Sequence, residues 1–259
     1  MLRLISRSRH ILEECLLRQL SAGITATHSL NAPATATATT PLPKKPSPFF
    51  SPSTARCYST SGHTRKNQWE MLRNRGHNVN PCNSKLHPAF VEAGIEPEES
   101  EELPVQSAYT PESVCWGCGP SAPDGLRLSS YRIPGGLEST VTLDEKYCAF
   151  PGIMNGGVVS TLFDCQGNWT SAIALMDRGC LPKPPLTLTY ELLVTFKEPT
   201  PPDEKLIVRS EIVSIREGEV GSKATIQVNM TLHQPIGGHE KLLATATGIF
   251  KKLGALRAL

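Results

Sequence analysis

The sequence predicts an α+β fold in which one apolar helix lies against a long antiparallel sheet. Three observations predict it. Val158, Val159, Leu162, Phe163, Trp169, Ile173 and Met176 recur at helical spacing. In residues 224–232, Ala224, Ile226, Val228, Met230 and Leu232 alternate with Thr225, Gln227, Asn229 and Thr231, the period of a strand with one face in and one out. Pro134-Gly135-Gly136 and Pro235-Ile236-Gly237-Gly238 supply turns between short apolar runs.

The elements follow in chain order. Residues 127–133 and 137–143 read as two strands about the first turn. A helix is expected after Gly152, running to Asp177, with Arg178-Gly179 stopping it because glycine favours the position past a helix C-terminus. Its apolar residues cover more than one stripe, so it is expected to be buried on most sides. Residues 186–197, 204–215 and 241–251 complete the sheet, giving two strands, a helix and a meander of long strands.

The preceding residues have a different texture. Arg3, Arg7, Arg9 and Arg18 interleave with Leu2, Leu4, Ile5, Ile11, Leu12, Leu16 and Leu17, which on a helix separates a basic from an apolar face. Glu13 and Glu14 are unusual in such a segment. A stretch rich in Ser, Thr, Ala and Pro continues to Thr60, too poor in apolar side chains to order itself. It ends at Ala55-Arg56-Cys57-Tyr58-Ser59-Thr60, which resembles a mitochondrial processing site. Residues 1–60 are therefore expected to be a disordered organelle-targeting segment, directed to the mitochondrial matrix with the plastid as alternative. Residues 61–111 read as linker, in which Trp69, Met71 and Leu72 could start a short helix packed on the domain. Residues 112–252 form the expected domain and 253–259 a tail.

Composition excludes several classes. A formal net charge of +2 over 259 residues gives no basic surface for nucleic acid. No apolar run is long enough for a membrane-spanning helix. The eight cysteines are too sparse for a disulfide-stapled scaffold, and Cys165 and Cys180 read as small hydrophobes in or beside the helix. Cys115-x-x-Cys118 matches half of a zinc site or a redox pair, but no second such pair exists and the histidines show no ligand spacing. It is read as a turn opening the domain, with no metal and no cofactor expected. No G-x-S-x-G, G-x-G-x-x-G or Walker sequence is present.

The segment Phe150-Pro151-Gly152-Ile153-Met154-Asn155-Gly156-Gly157-Val158-Val159-Ser160-Thr161-Leu162-Phe163-Asp164 carries the chemistry. It resembles the signature of the 4-hydroxybenzoyl-CoA thioesterase superfamily, in the branch like phenylacetate-pathway and mammalian acyl-CoA thioesterases: His-Gly-Gly with an acidic residue seven positions after the second glycine. Cys115-Trp116-Gly117-Cys118-Gly119-Pro120 with Asp124-Gly125-Leu126, and Val194-Thr195-Phe196-Lys197-Glu198-Pro199, resemble the opening segment and a middle strand of such domains. The resemblance implies a hotdog fold, an antiparallel sheet wrapped around a central helix. It also implies an acyl-CoA thioesterase acting as a dimer or tetramer, and it assigns the oxyanion site to the Gly156 and Gly157 amides and the catalytic carboxylate to Asp164. Thr189 falls where related enzymes place a hydroxyl that holds water, given a longer helix-to-strand loop over Asp177 to Pro185; read by itself it is an ordinary strand residue. Asn155 replaces the usual histidine; it can cap the helix but cannot titrate. Gln166 and Asn168 either line the pocket or satisfy buried polar groups, and Lys197, Lys251 and Lys252 are candidate CoA contacts.

Physical chemistry supports these roles. Amides at a helix start have no helical acceptor and lie at its positive end, which suits a thioester oxygen gaining negative charge. Asp164 can act as general base or attack directly. It lies seven residues beyond Gly157, about 10 Å along a helix, so the two cannot address one carbonyl carbon from a single chain. The spacing alone therefore calls for a dimer. Hydration of an acyl thioester by the same fold usually needs a His/Asp pair, which Asn155 does not supply. An inactive acyl-binding or structural subunit of a larger assembly is the alternative outside enzymes.

Overall fold

The computed structural model describes residues 62–96, 101–217 and 224–253. The targeting segment expected over residues 1–60 lies outside the described residues, as does most of the C-terminal tail.

The core is a six-stranded antiparallel sheet on which one helix lies. The strands are β1 (Ser130–Ile133), β2 (Gly136–Thr142), β5 (Thr187–Phe196), β6 (Lys205–Glu217), β7 (Ala224–Ile236) and β8 (His239–Lys252), in the order β1-β2-β6-β7-β8-β5. Two short strands, β3 (Cys148–Phe150) and β4 (Ile153–Met154), pair separately beside the helix entry. Ala224, Ile226, Val228, Met230 and Leu232 all face inward, so the alternation read from the sequence matches the pleat. β1 starts at Ser130 rather than at residue 127, because Arg127 has a left-handed φ of 51°, which a strand does not accommodate.

The long helix spans Gly156–Gly179 and follows three shorter helices in the chain. It begins three residues later than a start directly after Gly152, because β4 occupies Ile153 and Met154. Leu162, Phe163 and Met176 are essentially inaccessible and pack toward the strands. At Gly167 a Cβ would sit 2.3 Å from Phe250 Cζ and 2.8 Å from Met230 Sδ, so only glycine lets helix and sheet approach this closely. The sheet wrapped around this helix is the hotdog arrangement. The helix stops two residues later than expected: Gly179 is its last residue, and Cys180 (φ 45°) takes the left-handed position, donating its N–H to the Asp177 and Met176 carbonyls.

The described part of residues 62–111 holds the short helix expected around Trp69 and two further helices. These are α1 (Gly62–Asn74), α2 (Pro88–Ala93) and α3 (Val105–Tyr109). Trp69 is fully buried, sits edge-on to His87 with ring centroids 5.3 Å apart, and donates its indole N–H to Glu92 at 3.0 Å. Trp69, Val79 and Ala89 pack with Cys180, while Val105 packs with Leu137, Ile173 and Met176. Arg65 donates to the Asp177 and Arg178 carbonyls, both at 2.8 Å, where the helix end is negative and its carbonyls have lost their in-helix donors. Arg132 binds Asp177 in a two-pronged ion pair at 2.6 and 2.9 Å. Burial works against the Arg132 charge, and the Asp177 hydrogen bond and charge more than offset it. Isolated apolar residues in a polar segment thus become core because the end of the long helix supplies the opposite wall.

Candidate active site

Two short contacts fix the start of the long helix. Met154 N–H donates to Thr200 O at 2.8 Å, and Asn155 N–H to Tyr147 O at 3.0 Å. Asn155 is the N-cap: its Oδ1 accepts the Gly157 N–H at 2.7 Å. The Gly157 amide is therefore already engaged, while the Gly156 N–H has no partner among the described residues. The two glycines, equivalent in the sequence, differ in the structure. Beside Gly156 lies a cavity of about 400 Å³, lined mainly by Phe150, Ile153, Met154, Val159 and Phe196. A Cβ on Gly156 would come within 3.2 Å of Phe196 Cζ.

Asp164, two turns further along, is half-buried and meets strand β5 at the sheet edge. Thr189 Oγ1 donates to Asp164 Oδ1 at 2.6 Å, and Thr187 Oγ1 donates to Asn168 Oδ1. The match is geometric: four helical residues rise about 6 Å, and two strand residues span about 6.6 Å. A β-bulge between Thr189 and Glu191 then shifts the phase, so that Leu192 and Val194 continue the inward face. Asp164 Oδ2 has no partner among the described residues, so this oxygen is available to water or substrate.

Of the other residues singled out, Gln166 is not a pocket residue. It is fully buried and bonds Ser130, Ser139 and Ser210 at 2.7 to 3.2 Å, and its backbone carbonyl accepts from Thr170. The network satisfies polar groups between helix and sheet, and Gln106 of α3 joins it through Ser130. Asn168 binds the Thr187 hydroxyl rather than opening onto a cavity. The three lysines do not form one patch. Lys197 borders the cavity beside Gly156, whereas Lys251 lies over the Tyr190 ring, 3.1 Å from its centroid. Lys251 pairs with Leu188 at the start of β5 and Lys197 follows its end, about 30 Å along an extended strand.

Sequence spacing missed one gathering. Cys115 and Cys118 meet Cys165 of the long helix, the residue after Asp164, with the three sulfurs all within 4.8 Å of one another. The Cys115 and Cys165 sulfurs stand 3.9 Å apart, and the neighbouring Cys165 thiol pulls the Cys118 pKa down against the effect of burial. Only three-dimensional packing places these residues together, since 47 positions separate Cys118 from Cys165.

No protein-family model and no curated protein matches the chain. Solved structures similar to it include several described as thioesterases or thioesterase-superfamily proteins. One from Shewanella loihica is 22% identical, covering 53% of this chain and 92% of that one, with a TM-score of 0.39. A Streptococcus mutans protein bound to acetyl-CoA is 16% identical, over 49% and 89% of the two chains, at 0.38. The PaaI protein of the Escherichia coli phenylacetic acid degradation operon is 14% identical, over 50% and 81%, at 0.39.

Proposed function

We propose that this chain hydrolyses an acyl thioester of the acyl-CoA class, with Asp164 as the catalytic carboxylate. The observation that carries the proposal is the 2.6 Å hydrogen bond from Thr189 to Asp164 Oδ1, which orients the carboxylate and leaves Oδ2 open. In this mechanism Oδ2 takes a proton from water as the water oxygen attacks the thioester carbonyl carbon. The carbonyl oxygen becomes an oxyanion facing a helix N-terminal N–H, and Gly156 offers the open one. When the intermediate collapses, the C–S bond breaks and the thiolate leaves with the proton from Asp164. The same oxygen can instead attack the carbonyl and pass through an anhydride that water opens. Either route uses the same residues.

The reaction site is composite. Gly156 lies eight residues from Asp164, about 12 Å along one helix, so the amide and carboxylate serving one carbonyl belong to two copies. Strand β5 supports self-association. It is a ten-residue sheet edge carrying exposed Tyr190 and Leu193, and the cavity beside Gly156 continues the apolar surface through Phe150 and Phe196. Long apolar edges of this kind aggregate unless paired. The arginine-rich start of the chain supports a mitochondrial setting for the reaction.

A panel of acyl-CoAs of different chain lengths, assayed by trapping released thiol, tests the proposal. Turnover of at least one member is expected. Binding without turnover across the whole panel would favour the acyl-binding scaffold.

A further inference from the structure

The three-cysteine cluster has no task in the hydrolysis described above, yet its construction is specific. Cys115, Cys118 and Cys165 come from a loop and a helix, and the first and last have sulfurs 3.9 Å apart. An ion bound tetrahedrally by thiolates at about 2.3 Å holds its sulfurs about 3.8 Å apart. A disulfide, by contrast, needs about 2.05 Å and would use two sulfurs while stranding the third.

The loop is shaped around this approach. A Cβ on Gly117 would lie 2.5 Å from Cys165 Sγ, and one on Gly119 would lie 2.4 Å from Ser113 O and 2.5 Å from Cys115 N. Neither position admits a side chain without displacing the cysteines. Gly119 N–H closes the knuckle onto Cys115 O at 2.7 Å, and Leu128 N–H ties Gly117 O to the start of the sheet at 3.0 Å. Cys118 and Cys165 are buried, whereas Cys115 is exposed, which gives an ion a path in from solvent.

We propose that Cys115, Cys118 and Cys165 bind a divalent ion of the zinc class, with the fourth position taken by water or an exogenous ligand. Soft thiolate donors select such ions over calcium or magnesium. The ion pins the loop before β1 to the long helix, one residue from Asp164. The site thereby supports the region of the proposed carboxylate without taking part in thioester cleavage.

The test uses the full chain, loaded with zinc, dialysed and measured by plasma mass spectrometry. About one zinc per chain is expected in the wild type. Cys118→Ser and Cys165→Ser are each expected to lower retained zinc by more than about tenfold, with Cys148→Ser unchanged. Cobalt-loaded wild type is expected to show thiolate-to-cobalt charge transfer of a three-sulfur site, which keeps the proposal testable if the serine variants fail to fold. The proposal is overturned if wild type retains no zinc, if cobalt gives no thiolate band, or if Cys148→Ser loses zinc as fully as Cys165→Ser. A Cys118–Cys165 disulfide in metal-free native protein would also overturn it.

Discussion

Replacing Thr189 by Val isolates the contact on which the proposed site rests. Valine keeps the branched shape that suits a strand and removes only the hydroxyl that donates to Asp164 Oδ1 at 2.6 Å. A hydrogen bond to a charged group contributes about 1.5–3 kcal/mol. Asp164 is half-buried, so solvent can replace part of this, and about 1.5–2 kcal/mol is the appropriate share. If the bond serves to orient the carboxylate at the moment of attack, that converts to a kcat lowered about 10- to 30-fold. KM should change little, because the hydroxyl has no contact with the acyl chain in this scheme. Thr189→Ser should restore most of the rate. The assay is thiol release under saturating acyl-CoA, with melting temperature as a folding control. Unchanged kcat in Thr189→Val, or a Thr189→Ser variant as slow as valine, would refute the positioning role.

Other predictions probe the interface and the N-terminal packing. Leu193→Lys on the exposed β5 edge should barely change protomer folding but should drive dimers toward monomers in sedimentation. Burying two leucines across a twofold interface contributes about 3–6 kcal/mol, a factor of about 10² to 10⁴ in association, and activity should fall with the dimer. A monomeric variant with full activity would contradict the composite site. His87 is buried neutral, with its pKa lowered to about 3, first by burial and then by the Arg132 charge. The unfolded chain takes up a proton near pH 6.5 that the folded one takes up only near 3. Stability is therefore full above about pH 6.5 and falls as pH drops toward 3, by about 1 kcal/mol per pH unit. His87→Asn keeps an acceptor for the Ala89 N–H and should flatten this slope in thermal melts. An unchanged slope would place the acid sensitivity elsewhere.

The parts legible in the sequence are those whose signal is local. Alternation gave β7, helical spacing gave the long helix, and Asn155 beside two glycines gave its cap. Thr189 was a strand residue with a hydroxyl; its contact with Asp164 depends on where β5 lies against the helix, and the bulge at Tyr190 determines which residues continue that face. The inequality of Gly156 and Gly157 was hidden because it arises from one side-chain rotamer, that of Asn155. Trp69 was legible as a helix anchor, but Val79 and Val105 were illegible as core for a different reason. Each sits in a short polar segment, and its burial partners come from elements about a hundred residues away or from neighbouring turns. The Cys115-x-x-Cys118 pair looked incomplete because the third sulfur stands on another element.

The central claim is that Asp164 performs the chemistry, and Asp164→Asn tests it most directly. Asparagine keeps size and can still accept from Thr189, but it cannot take a proton or form an anhydride. On the best acyl-CoA of the panel, kcat should fall at least about 100-fold, with dimer content and melting temperature close to wild type. Turnover unchanged by Asp164→Asn in a folded dimer would contradict the account.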